Sequence, residues 1–449
     1  MSTIEKHDMT QGKILLPLVS FTIPLVLGNL FQLTYNAADS VIVGKYVGEQ
    51  ALAAVGTSTP IMNIAILLIS GMCMGASVLM SSQYGAKDYD TLSRQISTTM
   101  LAGCGFSVVF SLLMLLLANP VLRLIRVPET AIPEAAAYLR IIFMGLIFTF
   151  MYNFLANTMR ALGDSKTPLY FLVTSAFLNI FGDLFFVVVL RGGVAGSAIA
   201  TVCSEGLCCL LCGIYIKKKI PLLCLGKKWW VFDKSLLGKT VSYGSTSAMQ
   251  QVCLQLGKLI IQSVVNTQGV AVMAAFTAVN RVDDFAYTPQ QNIGHAMTTF
   301  LAQNKGAGHK ERMKKGFQTG LLIELVYSIG LFCVIWGLAP QIMTLFAEDG
   351  DAQVVSLGIS YLHLISWMYI LPGLTNGVQG FFRGIGDLKV TLYSTFMNMF
   401  GRVVAVFVMI RLLQMEFASL AWANMVGWIV MLLFEVPLLV KSMRNGECG

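Results

Sequence analysis

Apolar stretches of about 20 residues recur from one end of this chain to the other, the length a helix needs to cross a hydrocarbon core ~30 Å thick. Backbone placed in hydrocarbon must satisfy its own N–H and C=O groups, so such stretches have to fold as helices. The pattern predicts twelve spans, at residues 14–43, 51–81, 96–117, 136–160, 167–190, 194–216, 243–266, 270–303, 315–338, 356–383, 390–410 and 416–441. They use nearly all 449 residues and leave no room for a soluble catalytic domain. Only 12% of residues are charged, against roughly 25% in soluble domains, and the mean hydropathy is +0.71. The first span lacks the short apolar core and small-residue exit of a cleavable signal, and its Pro24 and Gly28 suit a kinked, retained helix.

The basic residues give the orientation, because Lys and Arg stay on the cytoplasmic side during insertion. One set of loops and ends carries Lys6, Lys13, Lys87, Arg94, Arg160, Lys166, Lys217, Lys218, Lys219, Lys227, Lys228, Lys305, Lys310, Arg312, Arg383, Lys389, Lys441 and Arg444. The opposite set carries Lys45, Arg123, Arg126, Arg140, Arg191 and Arg411, with an acidic stretch at Glu348, Asp349 and Asp351. Both termini are therefore expected in the cytoplasm of a multi-pass protein of the cell membrane. The net charge of +8 is spread over loops with no recognition motif, so topology accounts for it and no nucleic-acid partner is expected. Cys203, Cys208, Cys209 and Cys212 share one apolar span and read as helix packing, because a zinc site pairs its ligands at loop spacing.

An internal repeat organises the chain. MRALGDSKTPLY at 159–170 returns as FRGIGDLKVTLY at 382–393, and Gly85-Ala86 is answered by Gly306-Ala307. Each half holds six spans, an even number, so the halves are parallel repeats about an axis along the membrane normal. The expected domains are an N-terminal six-helix lobe at 1–216, a basic cytoplasmic linker at 217–240 and a C-terminal six-helix lobe at 241–449. The expected fold is an all-α integral membrane protein of twelve helices in two bundles around a central cavity, an arrangement suited to alternating access. Gly71 and Gly75 have the small-xxx-small spacing of close helix packing.

LTYNAADSVIVGKYVGEQALAAVG, the MRALGDSKTP loop, NIFGDLFFV followed by GVAGSAIAT, VNTQGVAVMAAFTAVNRVDDFAYTP and AQNKGAG together resemble the multidrug and toxic compound extrusion (MATE) family over essentially the whole chain. The major facilitator superfamily shares the six-plus-six plan, but QYGAKDYD stands where its charged Gly-Asp-Arg-type loop would be. The resemblance implies a monomeric secondary antiporter, with no enzymatic activity, that exports small organic compounds against an inward proton or sodium gradient. The NorM-like branch has acids in spans seven and ten, where this chain offers Gln250 or Gln251 and Asn376. The DinF-like branch has two N-lobe aspartates instead, which Asp39 and Asp183 match. Its N-lobe cation site maps onto Tyr35, Asp39, Asn179, Asp183 and Thr201, with Tyr138 as a looser member. A lipid-linked oligosaccharide flippase, which shares the two-lobe fold, is the nearest alternative; more spans and a more cationic cavity would mark one.

The residues support that mapping independently. An ionisable group inside a bilayer is a functional candidate by default. Asp39 and Asp183 lie in the outer half of spans one and five, Thr201 lies at similar depth in span six, and Tyr35 and Asn179 each precede an aspartate by one helical turn. Two carboxyls brought together away from water can share a proton, or with Asn179 and Thr201 can hold sodium. No cofactor beyond this coupling ion, H+ or Na+, is expected, and no metal. In the second half NMFGR answers NIFGD, setting Arg402 against Asp183, while Ile260 faces Asp39 with Lys258 nearby. Lys258 and Arg402 either line a substrate cavity with Gln250, Gln251 and Asn376 or pair with Asp284, Glu324 or Glu205.

Overall fold

The computed structural model describes residues 8–125, 127–129, 131–220, 230–346, 352–415, 417 and 419–444. The acidic stretch 348–351, Lys6, Arg126, Lys227 and Lys228 lie outside the described residues, and so does the side chain of Arg411. The described residues are helical almost throughout. In the first half the helices are α1 (Leu15–Tyr46), α2 (Glu49–Gly85), α3 (Tyr89–Leu124), α4 (Ile132–Met144), α5 (Leu146–Ala161), α6 (Lys166–Asp183) and α7 (Gly193–Lys219). In the second half they are α8 (Lys234–Val265), α9 (Val270–Gly306), α10 (Lys310–Phe346), α11 (Ala352–Ser366), α12 (Ile370–Gly384), α13 (Leu388–Phe407) and α14 (Ser419–Arg444).

These fourteen helices make twelve spans, because two spans are broken. The fourth is bent by 47° between α4 and α5 at Gly145, and the tenth passes through a 3-10 turn, Trp367–Tyr369, between α11 and α12. By length and composition nine described helices qualify as spans, or ten when the bent pair counts as one. The two that fall short are α8 and α9, whose polar residues include Gln250, Gln251, Asp283 and Gln290. Neighbouring helices shield such residues from lipid.

The chain divides into two compact units, Met1–Asp8 with Ile23–Ala248, and Met9–Thr22 with Met249–Gly449. Residues 9–22 thus group with the second half, and the reason is polar. The Arg312 guanidinium gathers the carbonyls of Met9, Gln11 and Gly12, while Gln303 and Asn304 bond the Met9 backbone. In the first unit the stretch before α8 is fixed in the same manner. Arg94 pairs with Asp233 at 2.5 Å, Ser97 and Thr98 accept the N–H groups of Val231 and Asp233, and Asp233 caps α8.

Within each unit the same neighbours recur: α2 packs on α5 as α9 packs on α12, α6 on α7 as α13 on α14, and α4 on α7 as α11 on α14. The glycines of α2 let α8 approach closely, as their spacing predicts. A Cβ on Gly75 would lie 2.4 Å from the Tyr243 carbonyl, and one on Gly71 2.6 Å from the Ala248 backbone. Both long fifth and eleventh spans end in a π-helical turn, Leu184–Val189 after α6 and Val408–Leu412 after α13.

Those turns set the register of the repeat. Gly163 (φ 89°) and Arg191 (φ 53°) flank α6 in left-handed conformations, and Gly386 (φ 85°) and Gln414 (φ 48°) flank α13 identically. No residue is inserted between the paired markers, so Asn179 corresponds to Arg402, and Asp183 to Val406. The NIFGD/NMFGR similarity is therefore out of step by one helical turn, a shift that keeps the same helix face and so preserves the look of the motif.

Candidate coupling site in the first unit

Six residues singled out in the sequence meet inside the first unit. Asp39 and Tyr35 come from α1, Tyr138 from α4, Asn179 and Asp183 from α6, and Thr201 from α7. Helix α1 continues to Tyr46, beyond the expected end of span one. Asp39 therefore lies ~10 Å and Asp183 ~9 Å from the C-terminal end of their helical segments. The 1.5 Å rise thus brings both carboxyls to one depth.

Asp183 is fully buried at 0% exposure. Its neighbours are the Asp39 carboxyl and the Ser197 hydroxyl, yet neither of its oxygens receives an aligned donor. Ser197 Oγ donates to Asp39 Oδ1 at 2.8 Å. Asn179 Nδ2 donates to Thr201 Oγ1 at 3.2 Å, and the Thr201 hydroxyl donates to the Ser197 carbonyl at 3.1 Å. The Asn179 carbonyl oxygen is also buried without a donor. Tyr138 faces both aspartates electrostatically, its hydroxyl turned to Met62 Sδ at 3.8 Å.

The chemistry of that arrangement is specific. The two Asp183 oxygens lie beside the Asp39 carboxyl, and they and the carbonyl oxygen of Asn179, one turn earlier on α6, are buried without an aligned donor. A buried acceptor left unmatched costs about 1–3 kcal/mol, more when charged. A proton shared between the aspartates, or a hard cation held by these oxygens, removes that deficit.

Ser197 escaped the sequence reading, and Glu205 entered it only as a possible partner for Lys258 or Arg402. Ser197 sits one turn before Thr201 in GVAGSAIAT, so its shared face was legible. Glu205, one turn beyond Thr201, accepts from Thr149 Oγ1 at 2.5 Å and adjoins Tyr35, which makes it a third acid of this interior.

The residues expected to line a substrate cavity do not form one group within the second unit. Gln250 is buried, donating to Gln379 Oε1 and Thr395 Oγ1 at 3.1 and 2.9 Å. Gln251 is half-buried. Asn376 donates to the Pro372 carbonyl. Lys258 pairs with Asp284 at 3.3 Å, both largely exposed. Arg402 neighbours Asp283, an acid the sequence reading passed over, which accepts from Tyr361 and Tyr369 at 2.9 and 2.5 Å.

The family profile described as MatE matches the chain twice, at residues 24–185 and 247–409, once on each half. The chain belongs to the MatE family. Among curated relatives, the probable multidrug resistance protein YpnP of Bacillus subtilis (strain 168) is 32% identical over 392 residues, covering 87% of this chain and 86% of that protein. The probable multidrug resistance protein NorM of Thermotoga maritima is 23% identical, covering 92% and 89%. Two solved structures superpose with TM-scores of 0.91. One is an outward-facing multidrug resistance MATE transporter of the MOP superfamily, at 22% identity and covering 100% and 99% of the two chains. The other is a MOP superfamily transporter from Pyrococcus furiosus with a binding pocket of reversed polarity, at 21% identity and covering 99% of each chain. This MatE chain therefore has the family's twelve-helix, two-bundle fold and is a multi-pass efflux transporter.

Proposed function

We propose that this transporter is a DinF-like secondary antiporter of the cell membrane. In this reading it exports small organic compounds and is driven by a cation, H+ or Na+, bound at Asp39 and Asp183. The observation that carries the reading is the fully buried Asp183 with no donor for either oxygen, set beside the Asp39 carboxyl within a shell of Ser197, Asn179, Thr201, Tyr35 and Tyr138. Binding one cation joins α1 to α6 and α7, and its loss leaves two carboxylates facing each other. The two states of the site thus favour different packings of the same helices, which is how an ion gradient biases conformational populations.

The branch assignment rests on chemistry as well. Gln250 and Asn376, where NorM-like acids are expected, are neutral and use their amides inside the bundle. Lys258 pairs with Asp284 and Arg402 lies within electrostatic reach of Asp283, which weighs against the strongly cationic lining of a lipid-linked oligosaccharide flippase.

The test is reconstitution of the full chain in liposomes with an imposed proton or sodium gradient. Asp39→Asn and Asp183→Asn keep shape and hydrogen-bonding capacity but remove the titratable group. Each variant is expected to insert and bind substrate yet to show no gradient-driven accumulation. Near-normal accumulation by both variants would make the pair structural.

A further inference from the structure

A second buried carboxyl lies in the other unit. Glu324 of α10 is 1% exposed, and Gln290 of α9 is completely buried. Both Glu324 carboxyl oxygens and the Gln290 amide oxygen lack a donor. The amide cannot turn to help. Its Nε2 is committed to the Tyr369 carbonyl at 2.8 Å and to Ser328 Oγ at 3.1 Å, and the Ser328 hydroxyl donates to the carbonyls of Glu324 and Tyr369.

The space for this carboxyl exists because residue 373 is glycine. A Cβ there would meet Ser328 Oγ at 2.9 Å, Gln290 Nε2 at 3.3 Å and Glu324 Oε2 at 3.4 Å. In the first unit the repeat fills the same place with hydrocarbon. The counterparts of Glu324 and Gly373 are Gly103 and Phe150, and the Phe150 ring lies where a Gly103 side chain would start, 2.0 Å from its virtual Cβ. Large and small residues have exchanged sides across the repeat, and the large one has become an acid. Gln290 likewise replaces Ile69, while Ser328 repeats the buried Ser107. A carboxyl is therefore not needed to pack this spot in the fold.

The surrounding titratable groups are committed elsewhere. Tyr327 on α10 donates to the Ala286 carbonyl. Across from it, the Tyr361 and Tyr369 hydroxyls both serve Asp283 of α9, and Tyr287 of α9 packs edge-on against the Tyr369 ring at 5.4 Å. Arg383, the charged residue of α12, instead donates to Gln379. His363 of α11 packs tilted against the Trp336 ring at 4.7 Å, and no ion pair among the described residues includes Glu324.

We infer that Glu324 is a second proton-binding site of this transporter, in the unit opposite to the Asp39 and Asp183 pair. The proton comes from water and returns to it. While bound it converts one Glu324 oxygen from an unmatched acceptor into a donor, with the Gln290 carbonyl oxygen as the acceptor that lacks a partner. Tyr369 lies at the 3-10 break of the tenth span, its carbonyl held by Gln290 and Ser328 and its hydroxyl by Asp283. The protonation state of Glu324 thus acts on the one irregular turn of that helix. The inference does not depend on the proposal that the aspartate pair couples transport.

Infrared difference spectroscopy between acid and alkaline buffers tests it, on the full chain in liposomes. An Asp39→Asn, Asp183→Asn background removes bands from that pair. A carbonyl band of a protonated carboxylic acid is expected to appear at the acid end, to be lost in Glu324→Gln, and to persist, shifted, in Glu324→Asp. The double variant Glu324→Gly with Gly373→Phe copies the packing of Gly103 and Phe150, and it should lose the band while keeping the fold. The inference is overturned if Glu324→Gln leaves every acid band in place. It is equally overturned if the lost band does not change with pH over the range in which the wild-type chain transports, since the acid would then be permanently neutral.

Discussion

Ser197 joins the two sides of the aspartate site. Its hydroxyl is the donor to Asp39 and its carbonyl the acceptor for Thr201, so one residue ties α1 to α7 at the depth of the acids. Ser197→Ala leaves Asp39 without that donor, at a cost of about 1–3 kcal/mol. Transport is expected to persist with its pH or sodium dependence displaced, because the carboxyls remain and only their relative stabilisation changes. Wild-type dependence in the liposome assay would remove Ser197 from the site. Gln250 belongs to the opposite category. Its amide links α8 to α12 and α13, so Gln250→Ala should lower the thermal unfolding midpoint in detergent while leaving ion dependence intact.

At the scale of elements, two features deserve separate tests because they concern different forces. The α2–α8 contact depends on the absence of side chains. Gly75→Ala places a methyl 2.4 Å from a backbone oxygen, and overpacking of this kind costs about 1–3 kcal/mol. A drop in unfolding temperature is expected, whereas Gly105→Ala, with open space around its Cβ position, should be silent. The start of α3 depends on charge. Hydrogen bonds from the Thr91 hydroxyl and backbone N–H hold the Asp88 carboxyl, in the solvent-exposed turn before α3, below its ordinary value of 3.8. A depressed acid stabilises the fold above its unfolded pKa and loses that contribution as pH falls through the folded one. Protection against amide exchange in the first turn of α3, corrected for the intrinsic rate at each pH, should accordingly fall below about pH 4, and Asp88→Asn should flatten that response.

Considered whole, the molecule is a duplication whose halves kept their packing and diverged in chemistry. Thr201 and Tyr138 of the first unit answer to Asn424 and Tyr361 of the second, where Asn424 donates to Tyr361 and Tyr361 to Asp283. Asn179 answers to Arg402. The same scaffold positions thus surround two facing acids in one unit and, in the other, an acid held by two tyrosine hydroxyls with an arginine nearby. The orientation inferred from basic loops has its own test. In a functional cysteine-free background, cysteine at Lys310 should resist impermeant thiol reagents in whole cells while one at Glu129 reacts. Labelling in the reverse order would invert the topology.

The sequence by itself determined the spans, their helicity and the duplication, because a helix in hydrocarbon is dictated by local composition and length. It also singled out Asp39, Asp183 and their one-turn partners, since charge inside a span is conspicuous in a string of letters. Tertiary structure alone decided the rest. The one-turn error that set Arg402 against Asp183 arose because a helical motif shifted by four residues shows the same face, and only the flanking left-handed residues and π turns fix the register. Residues 9–22 grouped with the second half because Arg312 reaches their carbonyls from 300 or more residues away. Glu324 looked like a possible partner for Arg402, because a sequence shows that an acid is present but not whether a donor reaches it. That depends on how helices distant in the chain meet, here on a glycine at 373 where the other half carries a phenyl ring.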